Sequence, residues 1–202
     1  LRNLKPWIPN DTLVIMNPCK PIALRKRHHQ PSEPLKLLML ARSDWIKGHS
    51  FALGVLESLR SKGIACTLKV TGWDERQGIP SKHEEVALLG WVSDERKAEL
   101  IRESDFLLLP SLFEGSSMSV IESIVNGLPC ICSPASHETI GIPSLIVDLS
   151  DPGQWADRIF ELSIPTNYGE IVKKIEGVSN RFSIEVAREK WGDAYNELIS
   201  SH

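Results

Sequence analysis

No stretch of this sequence stays apolar over the roughly 20 residues that a membrane-crossing helix requires, which excludes such a span. The start lacks the basic, apolar, then small-residue order of a secretory signal, and the cytoplasm is the expected compartment. Charge of neither sign is in surplus: 23 Lys and Arg stand against 26 Asp and Glu, a net charge of −3. A nucleic-acid partner held by a broad basic face is thereby excluded, and any phosphate binding must be local. Cysteine is scarce. Cys19, Cys66, Cys130 and Cys132 have no zinc-site spacing, and three of them sit in or beside apolar runs, where a reduced thiol behaves as a small hydrophobe. The chain begins with Leu1 rather than methionine, and it is read as a piece of something longer.

What is present is one domain's worth of alternating apolar runs and amphipathic stretches. A chain of 202 residues can bury about 70% of its unfolded surface around a single core. Apolar runs at residues 37–40, 66–71, 86–89, 106–109, 130–132 and 145–147 are bounded by Gly, Pro or polar residues, as in strands buried on both faces of a parallel sheet. Helix faces lie between and after them. Phe51, Ala52, Val55, Leu56 and Leu59 form one, and Ala98, Leu100 and Ile101 another, behind a Ser93 cap. Asp151-Pro152 opens a helix carried by Trp155, Ile159 and Leu162; Ile171, Val172 and Ile175 mark the next. Ser183 caps the last, whose face is Ala187, Trp191, Ala194, Tyr195 and Leu198. The alternation predicts an α/β fold, a Rossmann-like doubly wound parallel sheet with helices on both faces. Residues 1–34 are irregular and proline-rich and read as linker, with one strand expected over 12–16. The basic cluster Arg25, Lys26, Arg27, His28 and His29 within them reads as a solvated loop, with contact to acidic lipid or a phosphate-bearing acceptor as the functional alternative.

The chemistry gathers at residues 105–136, DFLLLPSLFEGSSMSVIESIVNGLPCICSPAS. A buried strand is followed by a small polar elbow, Glu114 to Ser117, then by a helix with Val120, Ile121, Ile124 and Val125 on one face. Ser117 or Ser119 can cap that helix, and Asn126-Gly127 stops it. A helix start carries unpaired N–H groups and partial positive charge, so this elbow is a ready phosphate site. Glu114 and Glu122 can both point toward the same cleft. Carboxylates repel phosphate and would be there to accept sugar or ribose hydroxyls. In an earlier strand-loop-helix unit, Arg42 lies just past the strand end and Lys47 near the helix start, so both can reach the crevice where open parallel sheets bind ligands. Two cations there suit a diphosphate.

These residues carry a resemblance. Glu114-Gly115-x6-Glu122, preceded by Leu109-Pro110-Ser111 and followed by Asn126-Gly127-Leu128-Pro129, resembles the Glu-x7-Glu signature of retaining GT-B glycosyltransferases of the family 4, or group 1, type. Arg42 and Lys47-Gly48 are similar to that family's Gly-Arg and Lys-Gly elements, with Ala41 in place of the usual glycine. The resemblance implies one half of a GT-B fold: residues 1–34 as interdomain linker and the end of a missing N-terminal domain, 35–181 as the donor-binding Rossmann-like domain, and 182–202 as a crossover helix. It implies transfer of a sugar from a nucleoside diphosphate sugar to a hydroxyl acceptor with retention, in polysaccharide, lipopolysaccharide or other glycoconjugate synthesis. Neither cofactor nor metal is expected. Arg42 and Lys47 would hold the diphosphate, Glu114 the donor sugar and Glu122 the ribose. Gly115, Ser116, Ser117, Met118 and Ser119 would form the loop around the donor, while Trp91 and Val92 match the turn beside the nucleobase. Glu138 matches a family glutamate, but Gly141-Ile142-Pro143 departs from the glycine-rich turn that should follow it. The implied partners are the donor, a glycan, lipid-linked or other hydroxyl acceptor, and the missing domain, with peripheral contact to a membrane's inner face. Two alternatives remain open: a nucleotide-binding module without catalysis, and a GT-B sugar-nucleotide epimerase or phosphorylase.

Overall fold

The computed structural model describes residues 13–22, 31–73 and 84–200, so the basic cluster at 25–29 lies outside the described residues. Five parallel strands, β1 (Leu35–Leu40), β2 (Cys66–Thr71), β3 (Val86–Leu88), β4 (Phe106–Leu109) and β5 (Cys130–Cys132), form one sheet in the order β3-β2-β1-β4-β5. Every residue of β4 and β5 is buried, as the continuous apolar runs require of strands covered on both faces. Around the sheet run α1 (His49–Ser61), α2 (Asp94–Glu103), α3 (Met118–Val125), the short α4 (His137–Ile140), α5 (Pro152–Ser163), α6 (Pro165–Ser179) and α7 (Ile184–Ser200).

The strand order fixes where a ligand can sit. β1 pairs with β2 from Leu35↔Cys66 to Leu40↔Thr71, while its other edge pairs with β4 through Leu37↔Phe106. The chain therefore winds outward from β1 to β3, then returns across the sheet to begin again at β4. Loops after β1 and β4 leave in opposite directions, and the crevice between them is the topological switch point of a doubly wound sheet.

The core locks the frame below that crevice. Trp155 of α5 is buried, donates from Nε1 to the Asp148 carbonyl at 2.8 Å and meets Phe51 of α1 edge-on at 5.3 Å. At the far end of the sheet the buried Asp105 accepts from the backbone N–H groups of Ser32 at 3.0 Å and Lys36 at 2.8 Å, and from the Ser32 hydroxyl at 3.1 Å. That carboxylate ties the lead-in of β1 to the start of β4.

Several expectations need correction. Of the strand expected over 12–16, residue 12 lies outside the described residues, and 13–16 are irregular and pair with none of the described strands. The run at 145–147 is a single bridge between Ile146 and Cys132, preceded by a 3-10 turn, Pro143–Leu145; a proline at its entry leaves too few residues to pair. Residues 133–142 are not simply loop but contain a 3-10 turn and α4. Neither candidate serine caps α3: Ser117 occupies the N-cap position without a side-chain capping bond, and Ser119 lies inside the first turn. Other caps form as expected, with Ser93 accepting from Arg96 N–H, Asp151 from Gly153 N–H and Ser183 from Val186 N–H.

Candidate functional site

A cleft of about 420 Å³ opens at the switch point, between the loops after β1 and β4 and the start of α2. Close packing of the two loops makes it. Gly48 has φ 74°, and a Cβ there would run into the carbonyl of Pro110 at the end of β4. Leu112 N–H donates to the Ile46 carbonyl at 2.8 Å, and the Ser119 hydroxyl donates to the Leu40 carbonyl at 2.6 Å. Ser119 thus pins the first turn of α3 to the end of β1 rather than capping its own helix. A similar approach explains Gly72, at φ 68°: a Cβ there would run into the Ala41 carbonyl, so the missing side chain makes room for the β1 loop.

Arg42, Lys47, Trp91, Val92, Glu114, Ser116, Ser117, Met118, Ser119 and Glu122 all line the cleft. Gly115 does not. It is exposed, and a Cβ on it would meet nothing, so this member of the elbow forms its outer bend. Arg42 is exposed and its guanidinium has no ion partner among the described residues. Lys47 is paired: its Nζ lies 2.7 Å from Glu114 Oε1, with the Glu114 side chain only 7% exposed. Trp91 lines the cleft yet is 80% exposed, so its indole is not core and stands accessible at the cleft's edge. Ser117 leaves the first N–H groups of α3 without a side-chain cap, which keeps them available at the cleft wall.

A second ion pair was not anticipated. Lys97, in the first turn of α2, places Nζ 2.7 Å from Glu122 Oε1 and 3.1 Å from Asp94 Oδ1. Burial disfavours the Lys97 ammonium, but its hydrogen bond and attraction to Glu122, joined by Asp94, outweigh that and raise its pKa. Its place one turn after the Trp91-Val92 loop was the available signal. The pairing itself joins positions 25 apart on two helices and has no local signature. Cys19 also lies within the field of this pair; burial first, then the charge of Glu122, pushes its thiol up, with Lys97 opposing.

Beneath the β1 loop, His49 opens α1 with its Nε2 buried and without a hydrogen-bond partner among the described residues, against Trp73 with ring centroids 4.4 Å apart. Burial lowers its pKa to about 4, against a weaker pull upward from Asp44. Among the described residues no group of three or more His, Cys, Asp or Glu could hold a metal ion. None of the described helices is long and apolar enough to cross a membrane.

The chain as a whole has known relatives. Residues 34–163, more than half of the chain, match the family described as Glycosyl transferases group 1. The chain belongs to that family. Among curated relatives, it is 31% identical to the protein named "Putative glycosyltransferase EpsF" of Bacillus subtilis (strain 168) over 131 residues, 59% of this chain and 34% of that protein. It is 25% identical over 117 residues to the UDP-Gal:alpha-D-GlcNAc-diphosphoundecaprenol alpha-1,3-galactosyltransferase of Escherichia coli, covering 55% of this chain and 30% of that one. The chain thus spans about a third of the length of these relatives. Its fold superposes on sucrose-phosphate synthase from Thermosynechococcus elongatus with a TM-score of 0.75 at 19% identity, over 100% of this chain and 56% of that one. It superposes on S. aureus TarM, solved with Fondaparinux, alpha-GlcNAc-glycerol and UDP, with a TM-score of 0.78 at 19% identity, over 96% of this chain and 41% of that one. The fold is the α/β Rossmann-like one of these GT-B glycosyltransferase neighbours.

Proposed function

We propose that this chain is the donor-binding half of a glycosyltransferase that moves a sugar from a nucleoside diphosphate sugar to a hydroxyl acceptor with retention, in glycoconjugate synthesis at the cytoplasmic side of a membrane. The observation that carries the reading is the meeting, in one cleft at the switch point, of Arg42 and Lys47 from the β1 loop with Glu114, Glu122 and the uncapped start of α3. In this reading the diphosphate lies between Arg42, Lys47 and the α3 N–H groups. As the bond from the sugar breaks, its electron pair goes to the diphosphate, and these fixed positive groups stabilise the charge that develops there. The side-chain cations supply that stabilisation without a metal.

Glu114 accepts from hydroxyls of the donor sugar, and Glu122 from those of the ribose. Trp91 and Val92 flank the base. The remainder of a longer protein supplies the acceptor site and covers α7, which crosses back to it. The test is calorimetric titration with UDP, GDP and ADP and then the matching sugar nucleotides, on the unaltered protein and on Arg42→Ala and Glu122→Ala. Selective binding of one nucleotide, weakened in both variants, is the expected result. Equal or absent binding of all three would overturn the reading. Nucleotide release only in the presence of acceptor separates transfer from epimerisation or simple nucleotide binding.

A further inference from the structure

The Glu122 carboxylate is not a free acceptor. Its side chain is 14% exposed, and one oxygen, Oε1, accepts from the Lys97 ammonium at 2.7 Å. Lys97 in turn is held from its other side by Asp94 at 3.1 Å. Asp94 is itself 92% exposed and contributes little, so the half-buried pair between α2 and α3, Lys97 with Glu122, is what orients both side chains. The backbone beneath is fixed as well: Asn126 donates from Nδ2 to the Glu122 carbonyl at 2.7 Å and accepts from Ile22 N–H at 2.8 Å. Glu122 therefore presents Oε2, and the remaining lone pair of Oε1, in one orientation beside a cation. A pinned, mostly buried acceptor discriminates strongly against a ligand that cannot satisfy it, because it cannot turn away to find water.

We propose that Lys97 is a positioning residue that determines specificity: by holding Glu122 through Oε1 it makes the cleft demand ribose hydroxyls on the bound nucleotide. This rests on the donor-site reading above. The ammonium acts through Glu122 and is not itself a phosphate ligand.

The test compares binding of UDP, GDP and ADP with that of their 2′,3′-dideoxy forms, by calorimetry on the full chain. The unaltered protein is expected to prefer the ribose form of its nucleotide by about tenfold or more, the discrimination expected when a charged hydrogen bond is lost. Lys97→Met is expected to reduce that preference to about threefold or less through weaker ribose binding alone, with dideoxy affinity within about twofold of the unaltered protein. Lys97→Arg, which keeps a charged donor, is expected to retain most of the preference. Lys97→Met added to Glu122→Ala is expected to change nothing beyond Glu122→Ala alone. A Lys97→Met variant that loses ribose and dideoxy affinity equally would make Lys97 a direct anion contact and overturn the proposal. An unchanged preference in Lys97→Met would do the same while leaving the donor-site reading standing. If Lys97→Met does not fold, a folded Lys97→Arg that has lost the preference is the overturning result. No binding of any nucleotide by the unaltered protein removes the donor-site reading and this proposal together.

Discussion

Lys47 and Arg42 carry the same formal role in the sequence pattern, yet the cleft treats them differently. Glu114, buried against Lys47, would lose its ion partner among the described residues in Lys47→Ala, whereas Arg42 stands in solvent. Breaking such a pair on one side costs about 3 kcal/mol, and an exposed substitution about 0.5 kcal/mol or less. Chemical denaturation should therefore show Lys47→Ala clearly destabilised and Arg42→Ala nearly unchanged, although both lose nucleotide affinity. Equal stability of the two variants would mean that the Lys47–Glu114 pair is not closed in solution. Glu114→Ala has the opposite signature. It frees Lys47 for phosphate, so affinity for the free nucleoside diphosphate should hold or rise by a few fold while the preference for the sugar-linked form falls. His49 adds a pH dependence. Its folded pKa of about 4 lies below the unfolded value of 6.5, so between them the unfolded state binds the extra proton. Stability from this group is full above about pH 6.5 and is lost as pH falls toward 4, at no more than about 1.4 kcal/mol per pH unit. His49→Phe, which keeps an aromatic edge against Trp73, should show a shallower acid limb in melting experiments between pH 4 and 6.5.

At the scale of elements, the site depends on how closely the β1 and β4 loops approach. Gly48→Ala asks for a left-handed backbone with a side chain and drives a methyl group into the Pro110 carbonyl. It should cost about 2 kcal/mol or more in stability and weaken nucleotide binding in the same variant, because Lys47 precedes it directly. Full stability in Gly48→Ala would show that the loops can part without consequence. Much of this architecture was legible beforehand. Runs such as Phe106–Leu109 are apolar at every residue, short and bounded by Pro110, which suits a strand covered on both faces, and their alternation with helix faces points to a parallel sheet. The boundaries at Ser93 and Asp151 were legible because an N-cap is a local interaction. The failures share a different cause. Residues 13–16 have strand composition but no neighbouring edge, and 145–147 meets the sheet at one residue, so tertiary pairing decided both. Ser119 read as a cap because its preferred partner, the Leu40 carbonyl, lies 79 positions away. Lys97 went unnoticed for the same reason, since its partner belongs to another helix.

At the scale of the whole molecule, α7 is poorly joined to the rest. Ala187 is its one buried residue, while Trp191, Tyr195, Leu198 and Ile199 are all more than half exposed. Their spacing sets them along one stripe of the helix, and the Trp191 and Tyr195 rings lie 6.0 Å apart with no core beneath them. The fold's closure on this side comes earlier, from the buried Phe182, whose carbonyl accepts from Cys19 N–H at 2.9 Å. A chain ending after Ser183 should therefore keep its fold and its nucleotide affinity, with stability lowered by no more than about 1 to 2 kcal/mol, the scale of burying one small side chain and one helix cap. It should also be less prone to self-association, since the apolar stripe is removed with the helix. Thermal melting, calorimetric titration and sedimentation on the shortened chain check the three parts. Loss of the cooperative transition would show that α7 is part of this domain's core. In the longer protein proposed above the same stripe is covered, so the fluorescence of Trp191, isolated by replacing the other tryptophans with phenylalanine, should be shifted to the blue there relative to this chain.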